Sequence, residues 1–130
     1  MGPEQAREEY LDLFTKIQAL APGGWTKVTP DKPGLVCPLP DGTEGTQVSF
    51  DAHRSPLSRE EMDALHDKVK TVFETTGFTV KQSTDGGANF VRSTDVFGPD
   101  KFVMGLTTGK YAITLGGNTR CVPDPDKKFR

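Results

Sequence analysis

The chain has 130 residues, 34% of them hydrophobic, and a formal net charge of −2. That length suits one domain with a modest core and no structural metal. Its interspersed, nearly balanced charge offers no field for nucleic acid or an anionic surface, and no apolar run approaches bilayer length.

Pro3 to Leu20 predicts the first helix. Proline suits a first turn, and Glu4, Glu8 and Glu9 suit the positive end of the helix dipole. Tyr10, Leu13, Phe14, Ile17 and Leu20 recur at three-and-four spacing and build one apolar stripe. Pro22-Gly23-Gly24 ends it. Trp25 to Thr29 reads as a short strand. Trp25 itself reads as a lock holding the helix on a sheet, with ligand stacking as the alternative. A proline-punctuated stretch then carries Cys37 and runs to Pro40. Asp41 to Gly45 is a turn, and Gln47 to Ala52 alternates as a half-buried strand.

The second helix is signalled by a capping box, Ser58 with Glu61, and by Leu57 and Met62 at staple positions. Met62, Leu65, Val69, Val72 and Phe73 form its buried stripe, and Gly77 supplies a left-handed stop. After Gly77 the period becomes two. Phe78 to Gln82, Asn89 to Ser93, Phe102 to Leu106 and Tyr111 to Leu115 read as four strands. Turns fall at Asp85-Gly86-Gly87, Phe97-Gly98-Pro99-Asp100 and Thr108-Gly109. The predicted order is α-β-β-β-α-β-β-β-β. This is an α+β fold, a mostly antiparallel sheet with two helices packed on one face. The second helix could instead join two parallel strands by a right-handed crossover. Residues 1–130 read as a single domain, with 1–9 and 123–130 as candidate loose termini.

Cys37 and Cys121 are the only cysteines, and each sits beside a predicted strand. The even count predicts a disulfide, hence an oxidising compartment, and a stabilisation of roughly 4–5 kcal/mol at most. The alternative is a cytosolic protein with two unrelated thiols. With the bond formed, a secretion signal would have been removed, since Met1-Gly2-Pro3-Glu4 leads straight into the helix.

Asp51 and His53 share one face of a strand, while His66 lies mid-helix beside Asp67. Without ligand-spacing motifs, both histidines read as partly exposed polar residues. Asp85-Gly86-Gly87-Ala88 lacks the helix and lysine of a phosphate loop. Asp41-Gly42-Thr43-Glu44 lacks the alternating ligands of a calcium loop. No catalytic, cofactor-binding or metal residue is therefore assigned. Thr79, Lys81, Ser83, Arg92 and Thr107 read as the sheet's open polar face, the largest flat surface a partner could use.

One set of features runs in order. It comprises a Tyr/Leu-rich helix, Trp25-Thr26, Cys37, the Val48-x-Phe50 strand, and the helix after Ser58-x-x-Glu61. Gly77 with its following threonine and the segment from Tyr111 through Ile113-Thr114 to Cys121 complete it. As a set it resembles the LppA-like lipoproteins of the actinobacterial cell envelope, from about Tyr10 to Cys121. The resemblance implies a secreted domain tethered by an acylated N-terminal cysteine, with one internal disulfide at Cys37 and Cys121. It carries over no catalytic residue. This chain lacks the signal segment and the lipidation cysteine, so anchoring would belong to a precursor. The expectation is a non-enzymatic, extracytoplasmic, membrane-anchored or cell-envelope domain. It would be monomeric, need no cofactor, and bind a protein or cell-wall ligand. The alternatives are a small lipid or glycolipid carrier, which needs a cavity between helices and sheet, and a hydrolase using Asp51 and His53.

Overall fold

Helix α1 occupies Pro3–Leu20, the bounds that its apolar spacing predicts. The computed structural model describes residues 1–28, 33–86 and 90–130. Strands β1 (Leu35–Pro38), β2 (Glu44–Gln47) and β3 (Ser49–Arg54) lead to helix α2 (Arg59–Glu74). Strands β4 (Thr79–Asp85), β5 (Val91–Phe97), β6 (Val103–Gly109), β7 (Ile113–Asn118) and β8 (Val122–Pro123) follow. The α+β class and the helix-covered antiparallel sheet are as expected. The strands, however, form two sheets, ordered β1-β2-β8 and β3-β7-β6-β5-β4.

The split has a local cause at Val48, between β2 and β3. Its amide takes the Thr119 side-chain oxygen at 2.9 Å, and the Thr119 amide returns to the Val48 carbonyl at 2.9 Å. A hydroxyl thus replaces a ladder carbonyl, and both chains leave one sheet for the other there. Helix α2 joins the two opposite edges of the large sheet, β3 and β4, and every described strand pair is antiparallel. The expected strand from Trp25 is absent over 25–28, and Thr29 lies outside the described residues. Instead Thr26 latches onto β3: its amide donates to the His53 carbonyl at 2.8 Å, and its hydroxyl accepts the His53 amide at 3.0 Å.

The helices and the sheet enclose one core. Ala6, Tyr10, Phe14 and Ile17 bury the face of α1, while Leu65, His66, Val69 and Phe73 bury that of α2. Phe50, Ala52, Met104, Leu106, Ile113 and Leu115 meet them from the sheet. The Tyr10 ring lies 5.5 Å from Phe50 and 5.1 Å from Phe102, and Phe102 lies 5.0 Å from Phe78. The phenol of Tyr10 donates to the Val103 carbonyl at 2.9 Å. This seat requires a glycine. At Gly117 (φ +150°) a Cβ would stand 2.0 Å from the Val103 oxygen and 2.8 Å from the Tyr10 hydroxyl.

Both helix ends are closed by side chains. No basic residue lies in the last turn of α1, so Arg54 of β3 supplies the cation. Its Nη1 donates to the Ala21 and Pro22 carbonyls at 2.8 and 2.9 Å. Trp25 adds its indole N–H to Ala21 at 2.7 Å, so it locks the helix as expected. These donors satisfy carbonyls that the helix leaves orphaned. At α2 the Ser58 hydroxyl accepts the Glu61 amide at 3.2 Å and donates to the Glu61 carboxylate at 2.8 Å. The cap is present, but Glu61 binds the hydroxyl, not the Ser58 backbone. Gly77, with φ +78°, provides the predicted left-handed stop.

Cys37 and Cys121 are bonded across 84 residues, tying β1 to the link between β7 and β8. The expected loose tail at 123–130 is docked. Asp124, 3% exposed, accepts from the Thr46 hydroxyl at 3.0 Å, the Lys128 amide at 3.0 Å and the Phe129 amide at 3.3 Å. One buried carboxylate folds the polar tail back. Residues 3–9 are likewise helical, and Glu9 holds Arg120 through two contacts of 2.8 Å.

Gly117→Ala is expected to destabilise the domain by about 3 kcal/mol, because both the space and the backbone angle exclude a side chain. Gly86→Ala, with nothing near its Cβ and no left-handed backbone angle, should leave stability almost unchanged. Denaturant melts of the two variants check the contrast.

Candidate functional site

Strand parity divides the large sheet into two unlike faces. Side chains at Phe50, Ala52, Thr94, Val96, Met104, Leu106, Ile113 and Leu115 lie on the helix side. The residues between them form the other face, which no described element covers. Register sets two rows across it: Asp51, Gly116, Gly105, Asp95, Lys81, and beside it His53, Thr114, Thr107, Ser93, Ser83. Adjacent glycines remove two side chains from the middle of the first row. What remains is a shallow groove lined by Asp51, His53, Gly105, Thr107, Thr114 and Gly116. The Asp95 carboxylate leans over its floor, with Oδ1 2.8 Å from where a Gly105 Cβ would stand. Ser93 and Thr107 hydroxyls meet across the strands at 3.4 Å.

Asp51 and His53 therefore share an exposed face, as their spacing predicts. Thr79, Lys81, Ser83 and Thr107 lie there too. Arg92 does not. It alternates with Ser93 onto the helix side, where its guanidinium meets Asp63 at 3.1 Å and Asp67 at 3.7 Å on α2. Asp95, Gly105 and Gly116 escaped the sequence reading. Their only signal was strand parity, and the exact register was needed to use it.

His66 is the larger correction. It is fully buried, not partly exposed. Its Nδ1 lies 2.7 Å from the Thr94 hydroxyl and its Nε2 2.7 Å from that of Thr108. Gln82 donates to the same Thr94 oxygen at 3.1 Å. The imidazole replaces a core hydrophobe, and sheet hydroxyls satisfy both of its nitrogens. Burial, aided by the Arg92 charge and opposed by Asp63 and Asp67, pulls its proton affinity down to about 4.

The Asp41 turn is self-contained. Asp41 accepts from the amide of Thr43 at 2.9 Å and from its hydroxyl, and these bonds hold the carboxyl below its usual range. Of the Asp85-to-Ala88 turn, Gly87 and Ala88 lie outside the described residues, as does Asn89 of the expected strand. Among the described residues, no three or more His, Cys, Asp or Glu side chains group as metal ligands.

A solved structure with this fold is a DUF4853 family protein from Actinomyces odontolyticus. It has a TM-score of 0.58 and 18% identity, and the match covers 87% of this chain and 62% of that one. The likeness is one of fold, and the chain spans less than two thirds of that structure's length. The neighbour is described by the DUF4853 family, not as an LppA-like lipoprotein. No family model and no curated protein matches the chain.

The depressed affinity of His66 carries a sign. Unfolding frees an imidazole that protonates near pH 6.5, so the folded state is favoured above that value. The contribution, about 3 kcal/mol in full, is lost as pH falls from 6.5 towards 4. His66→Gln lacks this term. The stability gap between the parent and this variant is expected to shrink over that window, as read by denaturant melts at pH 7 and pH 4.5.

Proposed function

We propose that this domain is a non-enzymatic binding module of the cell envelope, engaging a cell-wall component or an envelope protein through the uncovered sheet face. The glycine-floored groove carries the reading. It sets carboxylates at Asp51 and Asp95 beside hydroxyls at Thr107, Thr114 and Ser93 on a backbone fixed by four ladders. Acceptors and hydroxyls on a rigid floor suit a polar, hydroxyl-bearing partner without a reorganisation cost. The helix side is committed to the core.

The disulfide supports an extracytoplasmic location, because such bonds persist in oxidising compartments. Tethering through an acylated precursor follows from the LppA-like resemblance.

Titration of the labelled domain with soluble peptidoglycan fragments tests the reading. Amide shifts are expected at Asp51, Gly105, Thr107, Thr114 and Gly116. Thr114→Arg, which fills the groove from an exposed position, should abolish them while leaving the melting temperature unchanged. Shifts confined to the helix side, or turnover of the fragments, would contradict the proposal.

A further inference from the structure

A second recess lies away from the groove, where the first turn of α2 meets the turn between β6 and β7. Arg59, Met62 and Asp63 of α2 form one wall, Phe90 another, and Thr108, Gly109 and Lys110 the floor and rim. The cavity measures about 170 Å³, close to the roughly 150 Å³ known to admit benzene.

Its chemistry is asymmetric. The interior is mainly apolar, with Met62 and the Phe90 ring beside the small Gly109. Thr108 brings a hydroxyl, but His66 already holds it at 2.7 Å. The mouth is cationic. The Arg59 guanidinium is stacked on the Phe90 ring, its carbon 3.5 Å from the centroid, and this leaves its N–H edge to point elsewhere. Asp63 is the one carboxylate in the lining, and Arg92 engages it at 3.1 Å, against 3.9 Å for Arg59. Asp63 thus faces two guanidinium groups, one through each oxygen, and with Lys110 the lining carries two cations against one carboxylate. The amide of Glu61 at the start of α2 is taken by the Ser58 hydroxyl.

We propose that this recess binds a small amphipathic monoanion, an aromatic or short branched-chain carboxylate. The ring or alkyl group lies against Phe90 and Met62, and the carboxylate meets Arg59 and Lys110. The volume admits one six-membered ring and excludes a long acyl chain or a glycolipid. The apolar interior selects against simple inorganic anions. The two cations select against neutral and positively charged analogues, since charge-assisted bonds to a carboxylate are the strong ones.

Benzoate is the probe. Titrated into the labelled domain at physiological salt, it should saturably shift the Met62 methyl and the Gly109 and Lys110 amides. Acetate and benzyl alcohol each carry only half of the recognition and should bind at least about tenfold more weakly. Arg59→Gln should weaken benzoate by roughly tenfold, the loss of one charge-assisted contact. Lys110→Gln is a second surface change expected to weaken it without altering the fold. Equal binding of benzyl alcohol, no saturation within the solubility of benzoate, or unchanged affinity in both variants would overturn the proposal. Because the open sheet face is not involved, Thr114→Arg should bind benzoate like the parent.

Discussion

The contact between the Tyr10 phenol and the Val103 carbonyl holds the architecture in place. A tyrosine with no exposed surface must find a partner for its hydroxyl or lose several kcal/mol on burial. Val103 can offer its oxygen only because Gly117 carries no side chain and adopts a backbone angle that other residues resist. Around that bond the ring of Tyr10 touches Phe14, Phe50 and Phe102. Helix α1 is therefore pinned to β3, β6 and β7 by one polar and several aromatic contacts.

The same logic recurs under the rest of the helix layer. Arg54 reaches from β3 to the end of α1, His66 from α2 to two sheet threonines, and Arg92 from β5 to α2. Each is a polar group whose partner lies on the facing element, so lifting either helix would strand it. This is a reason for the helix side to stay closed. The opposite face carries the two central glycines, Gly105 and Gly116, which lower its floor. Structure and proposed function thus divide the two faces of one sheet.

Much of this was legible in the residues, and the reasons are local. The bounds of α1 follow from strict apolar spacing between a proline and a glycine pair. The cap of α2 follows from Ser58, and the four later strands from period two. What escaped depended on distant partners. His66 lies 28 and 42 residues from the threonines that satisfy it. Its spacing, four after Met62 and three before Val69, puts it on the buried stripe, but nothing near it names the partners that let an imidazole sit there. Arg92 falls on the face opposite to the expected one because a single step in parity reverses a strand residue. The second sheet hinges on a Thr119 hydroxyl reaching Val48, and the tail on the buried carboxylate of Asp124. Neither contact leaves a periodic trace. The groove needed register across four strands, which a single chain's pattern does not encode.

The phenol of Tyr10 is sealed between α1 and the sheet, which keeps the helix side shut. Burial pushes its ionisation upward, so the folded state favours the neutral ring. The resulting stability is whole below about pH 10 and is lost as pH rises, because the unfolded tyrosine ionises first. Ultraviolet titration of the two tyrosines, followed alongside the helical circular dichroism signal, is the direct measurement. The Tyr10 phenolate, identified by comparison with Tyr111→Phe, is expected to emerge only as helicity collapses. Reversible ionisation of Tyr10 with the helices intact would contradict it.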